Sequence, residues 1–481
     1  MSLKKQALSG VFWTFIQQFG VQGIGFVINI ILARLLSPEQ FGLIAMITVF
    51  VGVGNALLNA GMGSSLIRSK HLDNDDYSTV FFFNLIASIL IYALIWLSAP
   101  AIARFYDQAV LIDLIRWLSL VIVINAFALI QQTRLTKQMD FKTQAGVAIP
   151  AIFISGIIGI AMAYYGFGVW SLIAFNIAKA FFNALFLWLK SGWVPALVFH
   201  WDKFKTHFNF GYKLTISGIL DTVFTNIYRI VIGKYFQTAQ VGYYDRAKNL
   251  NMYPVRTLSS ILTKVTYPLF AKIQDDNTRL RQVYQKILQM NIFVLAPVLI
   301  TAGVLAVPLF RFLLTDKWLP AVPYFRIIII TGILYPVHAF NLNILKVKGK
   351  SGLFLQLEVV KKAIIIAAIF IGIRYGIYGL LWSSVATSII SFFINTHYSG
   401  RLIQYTAWQQ LKDIIPILLL ALISGIITGL MDHYLFKNFY DLWRLLAGSS
   451  ISILLYLCLS YLFRLAPFNE LTGIVKQYLK K

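Results

Sequence analysis

Long apolar runs, each broken by a short polar or charged segment, follow one another along the whole chain. As a helix rising 1.5 Å per residue, a run of about 20 apolar residues matches the hydrocarbon thickness of a bilayer. About fourteen runs of that length can be drawn, near 11–33, 40–61, 79–99, 109–131, 145–165, 168–189, 208–232, 241–263, 287–307, 321–344, 356–374, 377–398, 413–432 and 442–464. Little of the chain remains for a separate soluble domain. The pattern predicts an all-α polytopic membrane protein of about fourteen transmembrane helices. The first run follows Lys4 and Lys5, yet it extends past about 20 residues and no small-residue cleavage site succeeds it. It is therefore expected to be a retained span.

A repeat organises these runs. Residues 34–42 read RLLSPEQFG and residues 234–242 read KYFQTAQVG, each between two apolar runs. Asp75 and Asp76 before the third run match Asp275 and Asp276 before the ninth. Further on, Tyr165, Gly166 and Trp170 match Tyr375, Gly376 and Trp382, so small insertions have shifted the offset. The expected organisation is a six-helix lobe over 1–200, a second over 201–402, and an appended pair with a cytoplasmic tail over 403–481. Six spans per copy is an even number, so both copies enter from the same side and form parallel pseudo-repeat lobes, as in known transporter folds. The segment 190–206 reads as a linker with an interfacial stretch. Residues 268–286 read as a capped basic surface helix, and the tail 466–481 as an interfacial one.

Composition agrees: 58% of residues are hydrophobic and only 12% charged, against roughly 25% charged in soluble domains. The net charge of +24 raises the question of nucleic acid. Its distribution answers it. Lys4, Lys5, Arg68, Lys70, Lys203, Lys205, Arg279, Arg281, Lys346, Lys348 and Lys350 belong to loops on one side, with many others. The opposite side holds only Arg34, Arg104, Lys234, Arg311, Lys317, Arg374, Lys437 and Arg444. By the positive-inside rule the rich side, with both termini, is cytoplasmic, and no nucleic-acid partner is needed. The single Cys458 excludes an intramolecular disulfide and is expected to pack within the last span. No Gly-x-x-x-x-Gly-Lys-Ser/Thr loop occurs, so ATP hydrolysis is not expected. The six histidines are scattered without ligand spacing, and neither a metal nor another cofactor is expected.

Ionisable groups inside spans are costly and therefore candidates for function. The cations are Arg116, Lys179, Lys213, Arg229, Arg246, Lys248, Arg256 and Arg326; the clearest acids are Asp221 and Asp245, with Glu358 near a span end. Cations exceed acids, so the surplus must face water, an anion or an interface. At 100° per residue, Asp245, Asn249 and Arg256 share one helical face with Lys248 close by. Ser217, Asp221, Thr225 and Tyr228 form a stripe in span 7, flanked by Lys213 and Arg229. Gln18, Gln22 and Asn29 line a face of span 1, the repeat mate of span 7. Such stripes suit a water-filled cleft, although the Gln/Asn face would also serve as interhelical glue. Asp245 with Lys248 equally suits a structural i,i+3 ion pair. Arg116, Arg326 and Arg246 are candidates for snorkelling to the interface.

The N-terminal SGVFWTFIQQFG, the string ILARLLSPEQFGLIAM, the following Gly61-Met62-Gly63, the span count and the repeat together resemble one family. It is the polysaccharide transporter (Wzx-type flippase) branch of the multidrug/oligosaccharidyl-lipid/polysaccharide superfamily, which includes O-antigen, colanic-acid and teichuronic-acid exporters. The resemblance covers essentially the whole chain. It implies alternating access in the bacterial inner membrane and, as substrate, an undecaprenyl-pyrophosphate-linked oligosaccharide used for lipopolysaccharide, capsule or exopolysaccharide. It also implies polysaccharide polymerase or assembly partners and an ion gradient as the driving force. Arg256, Lys179, Arg229, Lys248 and Lys213 would then attract the pyrophosphate. Gln18, Gln22, Asn29, Ser217, Tyr228 and Asn249 would bind the glycan, and Asp221 and Asp245 would carry ion coupling. A drug/cation antiporter of the same superfamily is the alternative, disfavoured by the cationic surplus and the final pair of spans. A glycan polymerase or glycosyltransferase fits poorly with the short outer loops.

Overall fold

Every described element of the computed structural model is helical. The structure describes residues 3–59 and 61–479, without the side chains of 3–9, 11, 213, 260–265, 267, 268 and 474–479. Two compact units divide the chain at Gly242 and Tyr243. The first holds α1 (Leu3–Leu35), α2 (Pro38–Asn59), the short α3 (Met62–Arg68), α4 (Asn74–Tyr106), α5 (Leu111–Lys137), α6 (Phe141–Tyr164), α7 (Val169–Ser191) and α8 (Trp201–Tyr235). A long helix, α9 (Thr238–Lys272), begins in the first unit and runs into the second. The second unit continues with α10 (Asn277–Val304), the short α11 (Ala306–Leu314), a 3₁₀ turn (Asp316–Ala321), α12 (Val322–Val347), α13 (Ser351–Ile373), α14 (Gly376–Ile403), α15 (Ala407–Tyr434), α16 (Asp441–Leu462) and α17 (Ala466–Leu479).

Among the described residues, twelve helical segments are long and apolar enough to cross a membrane, and the protein is a multi-pass membrane protein. The other two expected spans, at 241–263 and 356–374, are also helical, as α9 and α13, but are not among the twelve. Charge is the reason. α9 carries Asp245, Arg246, Lys248 and Arg256, and α13 carries Glu358, Lys361 and Lys362. In α13 the cost is partly offset, because Lys361 Nζ lies 2.5 Å from Glu358 Oε1, one helical turn away.

Sequence chemistry sets the breaks. Pro38 has no N–H to continue α1, so it sits at the start of α2, where that donor is not needed. Ser37 and Gln40 close that start: the Ser37 N–H donates to Gln40 Oε1 at 2.9 Å. The second copy repeats the device, with the Gln237 N–H donating to Gln240 Oε1 at 3.2 Å. The two copies also touch. A Cβ on Gly42 would fall 2.1 Å from the Thr238 carbonyl oxygen, and one on Gly242 would fall 2.0 Å from the Pro38 carbonyl oxygen. Only glycine permits that approach. Gly61, at φ 63°, turns the chain from α2 into α3 while touching the backbone of Gly211 in α8.

In the first unit α1 packs on α6, α6 on α7, and α5 on α4 and α7, while α2 lies along α8. The segment 190–206 is more ordered than the expected linker. Its Trp193 indole N–H donates to Asn74 Oδ1 at 2.6 Å, the Ala196 N–H to Ser78 Oγ at 3.0 Å and the His200 N–H to Thr79 Oγ1 at 3.1 Å. Asn74, Ser78 and Thr79 all lie in the first two turns of α4, so the segment is strapped across that helix end, and α8 starts as early as Trp201. The strap continues into a polar cluster. Lys203 Nζ lies 2.5 Å from Asp73, His200 Nε2 lies 3.1 Å from Asp75, and the buried His207 bridges Asp76 (3.2 Å) and Ser65 (2.8 Å). Asp73 is the N-cap of α4 and forms a capping box with Asp76. Lys203 beside it holds the Asp73 carboxyl well below the usual carboxylate range.

In the second unit α10 and α15 pack together, α12 bridges α10 and α14, and α16 covers α15. A core of Phe270, Tyr284, Leu288, Phe340, Tyr405 and Ile417 binds one end. The predicted surface helix at 268–286 is not a separate element: α9 ends at Lys272, and Asp276 caps α10 by accepting from the Arg279 N–H at 2.9 Å. The tail does form a helix, α17, with Phe468 and Leu471 packed against this core. Its Ile474, Val475, Tyr478 and Leu479 side chains lie outside the described residues. Cys458 is exposed on α16 rather than packed, because α16 offers the core another face, through Ser452 and Tyr456.

Candidate functional site

Each set of candidate residues lies on a membrane-spanning helix or on charged α9, and each unit carries its own. In the first unit, α8 turns one face toward α2 and leaves Ser217, Asp221 and Thr225 exposed at i, i+4 and i+8 on another. Tyr228 is buried one turn further on. Arg229 is half-buried, and its Nη1 donates to Asn226 Oδ1. Asn226 had not been singled out in the sequence, although the i,i+3 spacing to Arg229 carried the signal. The Lys213 side chain lies outside the described residues.

On α1, Gln18, Gln22 and Asn29 are half-buried. Asn29 Nδ2 donates to the Gly25 carbonyl at 2.8 Å, and Thr14 does the same to Gly10 at 2.7 Å. Local bonds of this kind lower the cost of carrying amide and hydroxyl groups at membrane depth. Lys179 on α7 is exposed, with no hydrogen-bond or ion-pair partner among the described residues. A membrane-level ammonium in that position needs water or an anion.

The second unit holds the acid of α9. Asp245 is only 6% exposed. Arg246 Nη2 lies 3.2 Å from its Oδ2, and Asn249 Nδ2 donates to the same oxygen at 2.8 Å. Helical angles alone aim Arg246 away from Asp245, but its long side chain curls back across that angle. Lys248 lies over the Tyr244 ring, 5.5 Å from its centroid. Arg256 is exposed, and no partner is found for it among the described residues. A buried carboxylate held by an arginine and an amide is thus followed, three turns along one helix, by an exposed guanidinium.

Arg116 and Arg326, two of the snorkelling candidates, differ. Arg116 stacks on Trp96 at 4.0 Å, whereas Arg326 is exposed and donates from Nε to the Gly303 carbonyl at 3.1 Å. The sequence reading also placed Arg444 in an outer loop. It pairs bidentately with the buried Asp432 of α15, at 2.9 and 2.7 Å. The signal was present, since Asp432 ends one apolar run and Arg444 opens the next.

A family model described as polysaccharide biosynthesis protein matches residues 31–323. The teichuronic acid biosynthesis protein TuaB of Bacillus subtilis (strain 168) is 26% identical over 89% of this chain and 89% of its own. The succinoglycan biosynthesis transport protein ExoT of Rhizobium meliloti (strain 1021) is 23% identical over 98% of this chain and 96% of its own. Among solved structures, the lipid II flippase MurJ in an inward closed conformation shares the fold, with a TM-score of 0.73 over 94% of this chain and 98% of that one, at 14% identity. The match over most of the chain, with the membrane fold beneath it, means that the chain belongs to the polysaccharide biosynthesis protein family, the polysaccharide transporter group that its sequence resembles.

Proposed function

We propose that this protein is a flippase that carries an undecaprenyl-pyrophosphate-linked oligosaccharide from the cytoplasmic to the outer leaflet of the bacterial inner membrane. Both termini lie in the cytoplasm, as the loop charges require. Transport proceeds by alternating access between the lobes 1–200 and 201–402, with 403–481 as an accessory pair.

The observation that carries this reading is the set of polar groups exposed at membrane depth: Ser217, Asp221 and Thr225 on α8, Lys179 on α7 and Arg256 on α9. Hydrocarbon would penalise each of them, so they face a watered path. A pyrophosphate is the part of the substrate with most to lose on leaving water, and Lys179 and Arg256 offer it charge-assisted hydrogen bonds. Arg229 and Lys248 add further cations on the same helices. Gln18, Gln22, Asn29, Tyr228 and Asn249 suit the hydroxyl-rich glycan. Asp245, already held by Arg246 and Asn249, and Asp221 are the carboxylates available for ion coupling. A polysaccharide polymerase is the natural recipient of the flipped unit.

Deletion of the gene tests the proposal. Cells lacking it should accumulate a lipid-linked oligosaccharide in the inner leaflet and lose the corresponding surface glycan, and restoring the gene should reverse both. Unchanged lipid-linked intermediates and glycan would refute it.

A further inference from the structure

Pro297 interrupts α10 within its buried stretch. Proline has no N–H, so the carbonyl four residues earlier, that of Phe293, loses its helical donor. At membrane depth no water replaces that donor, and an unsatisfied carbonyl there is costly. Another helix supplies the bond. The Tyr456 hydroxyl of α16 donates to the Phe293 carbonyl at 3.1 Å, in a buried contact. The two rings pack beside it, with 5.1 Å between their centroids.

This bond belongs to a seam. The buried residues of α16 are Gly448, Ser452, Tyr456 and Ser460, so one narrow stripe of the helix faces inward. Ser452 Oγ and Thr301 Oγ1 share a hydrogen bond at 2.6 Å, and a Cβ on Gly448 would fall 2.8 Å from the Leu305 side chain. Gly448, Ser452 and Tyr456 thus meet Leu305, Thr301 and Phe293 in turn, and α16 runs antiparallel along α10 across its break. The first copy of the repeat differs. There α4 corresponds to α10 and carries Pro100, but among the described residues no side chain donates to the Trp96 carbonyl that this proline frees. The brace is confined to the second copy, and it comes from the helices beyond the repeat.

Another face of the break is open. Val294 and Val298 of α10 line a hollow of about 300 Å³ with Tyr253, Pro254 and Leu258 of α9. Pro254 gives α9 a break of its own, two residues before Arg256. The hollow leaves that stretch of α9 room to shift while α10 is held.

We propose that Tyr456 is a positioning residue for transport: it closes the backbone break at Pro297, so that α10 stays a fixed wall while α9, with Arg256, moves against it. The transport role rests on the flippase reading; the closure of the break does not.

A double-mutant cycle on the purified full chain tests this, read as the thermal midpoint in detergent and as translocation of a lipid-linked oligosaccharide in proteoliposomes. Tyr456→Phe keeps the ring and removes only the hydroxyl. It should lower the midpoint and slow translocation severalfold, with the KM for substrate unchanged. Pro297→Ala restores the N–H that the Phe293 carbonyl lacks, so in that background Tyr456→Phe should change neither quantity. An equal loss in both backgrounds would overturn the closure, because a hydroxyl that serves only packing is indifferent to residue 297. A coupled midpoint with unaffected translocation would overturn the positioning role alone. Wild-type protein that does not translocate would overturn that role together with the flippase reading, while the midpoint cycle still decides the closure. Should Pro297→Ala fail to fold, hydrogen exchange decides: Tyr456→Phe should speed amide exchange in α10 around Pro297 but not in α13, and unchanged exchange in α10 would overturn the proposal.

Discussion

At Gly242 a Cβ would lie 2.0 Å from the Pro38 carbonyl oxygen, and at Gly42 another would lie 2.1 Å from that of Thr238. Backbone, not a flexible side chain, occupies the space, so a larger residue must force the starts of α2 and α9 apart. Gly242→Ala is expected to destabilise this arrangement by about 1–3 kcal/mol, the usual cost of overpacking. A lowered thermal midpoint in detergent would register it, and an unchanged midpoint would mean that the contact is not held in solution. The strings RLLSPEQFG and KYFQTAQVG were legible as copies, but their contact was not, because no local periodicity reports a meeting between segments 200 positions apart. Pairing of charges was similarly half-legible. The sequence offered Asp245 a partner at Lys248, and the structure brings Arg246 to it as well, because the long side chain overrides the helical angle. Lys179 and Arg256 are exposed without partners among the described residues, so their loss should leave packing intact. Lys179→Ala and Arg256→Ala should each cut surface glycan severalfold at unchanged membrane level. Normal glycan in both would remove the anionic-headgroup role.

The elements themselves were the most legible level, because a run of about 20 apolar residues has almost no alternative to a helix in a bilayer. Where the reading failed, the lost signal was tertiary. The segment 190–206, polar and proline-containing, resembles a free linker, yet Asn74, Ser78 and Thr79 of α4 tie it down. The next contact along, Lys203 with Asp73, carries a pH dependence. Asp73 has a folded pKa depressed by Lys203, so its contribution to stability is present in full above the unfolded value of about 3.9. It is lost as the pH falls through the lower folded value. Asn caps a helix as well as Asp does, so Asp73→Asn removes the charge alone. The variant should melt below wild type at pH 7, and the gap should narrow as the pH drops below about 4. A gap independent of pH would assign the effect to packing.

For the whole molecule, the repeat and the span pattern were enough to expect a transporter-type all-α membrane protein, and the fold it shares with a solved flippase agrees. The number of crossings was less legible, because α9 and α13 combine helical length with several charged residues, of which Lys361 and Glu358 pair. The candidate site was readable as residue types at helical spacing, but exposure had to come from packing. Only the structure separates the exposed Asp221 from the buried Asp245. If the exposed stripes line a watered path, cysteines placed at Gln22 and Ser217 should react with a water-soluble thiol reagent in at least one state. Complete protection of both would mean that the path is dry.

Flipping of the lipid-linked glycan can be followed in proteoliposomes. The purified protein is reconstituted with a pyrophosphate-linked oligosaccharide on an undecaprenyl lipid, and the glycan's accessibility to a membrane-impermeant lectin is followed over time. Wild-type protein should change the exposed fraction far faster than empty vesicles do, with Arg256→Ala close to the empty control. A wild-type rate equal to that of empty vesicles, with the protein folded and inserted, would contradict it.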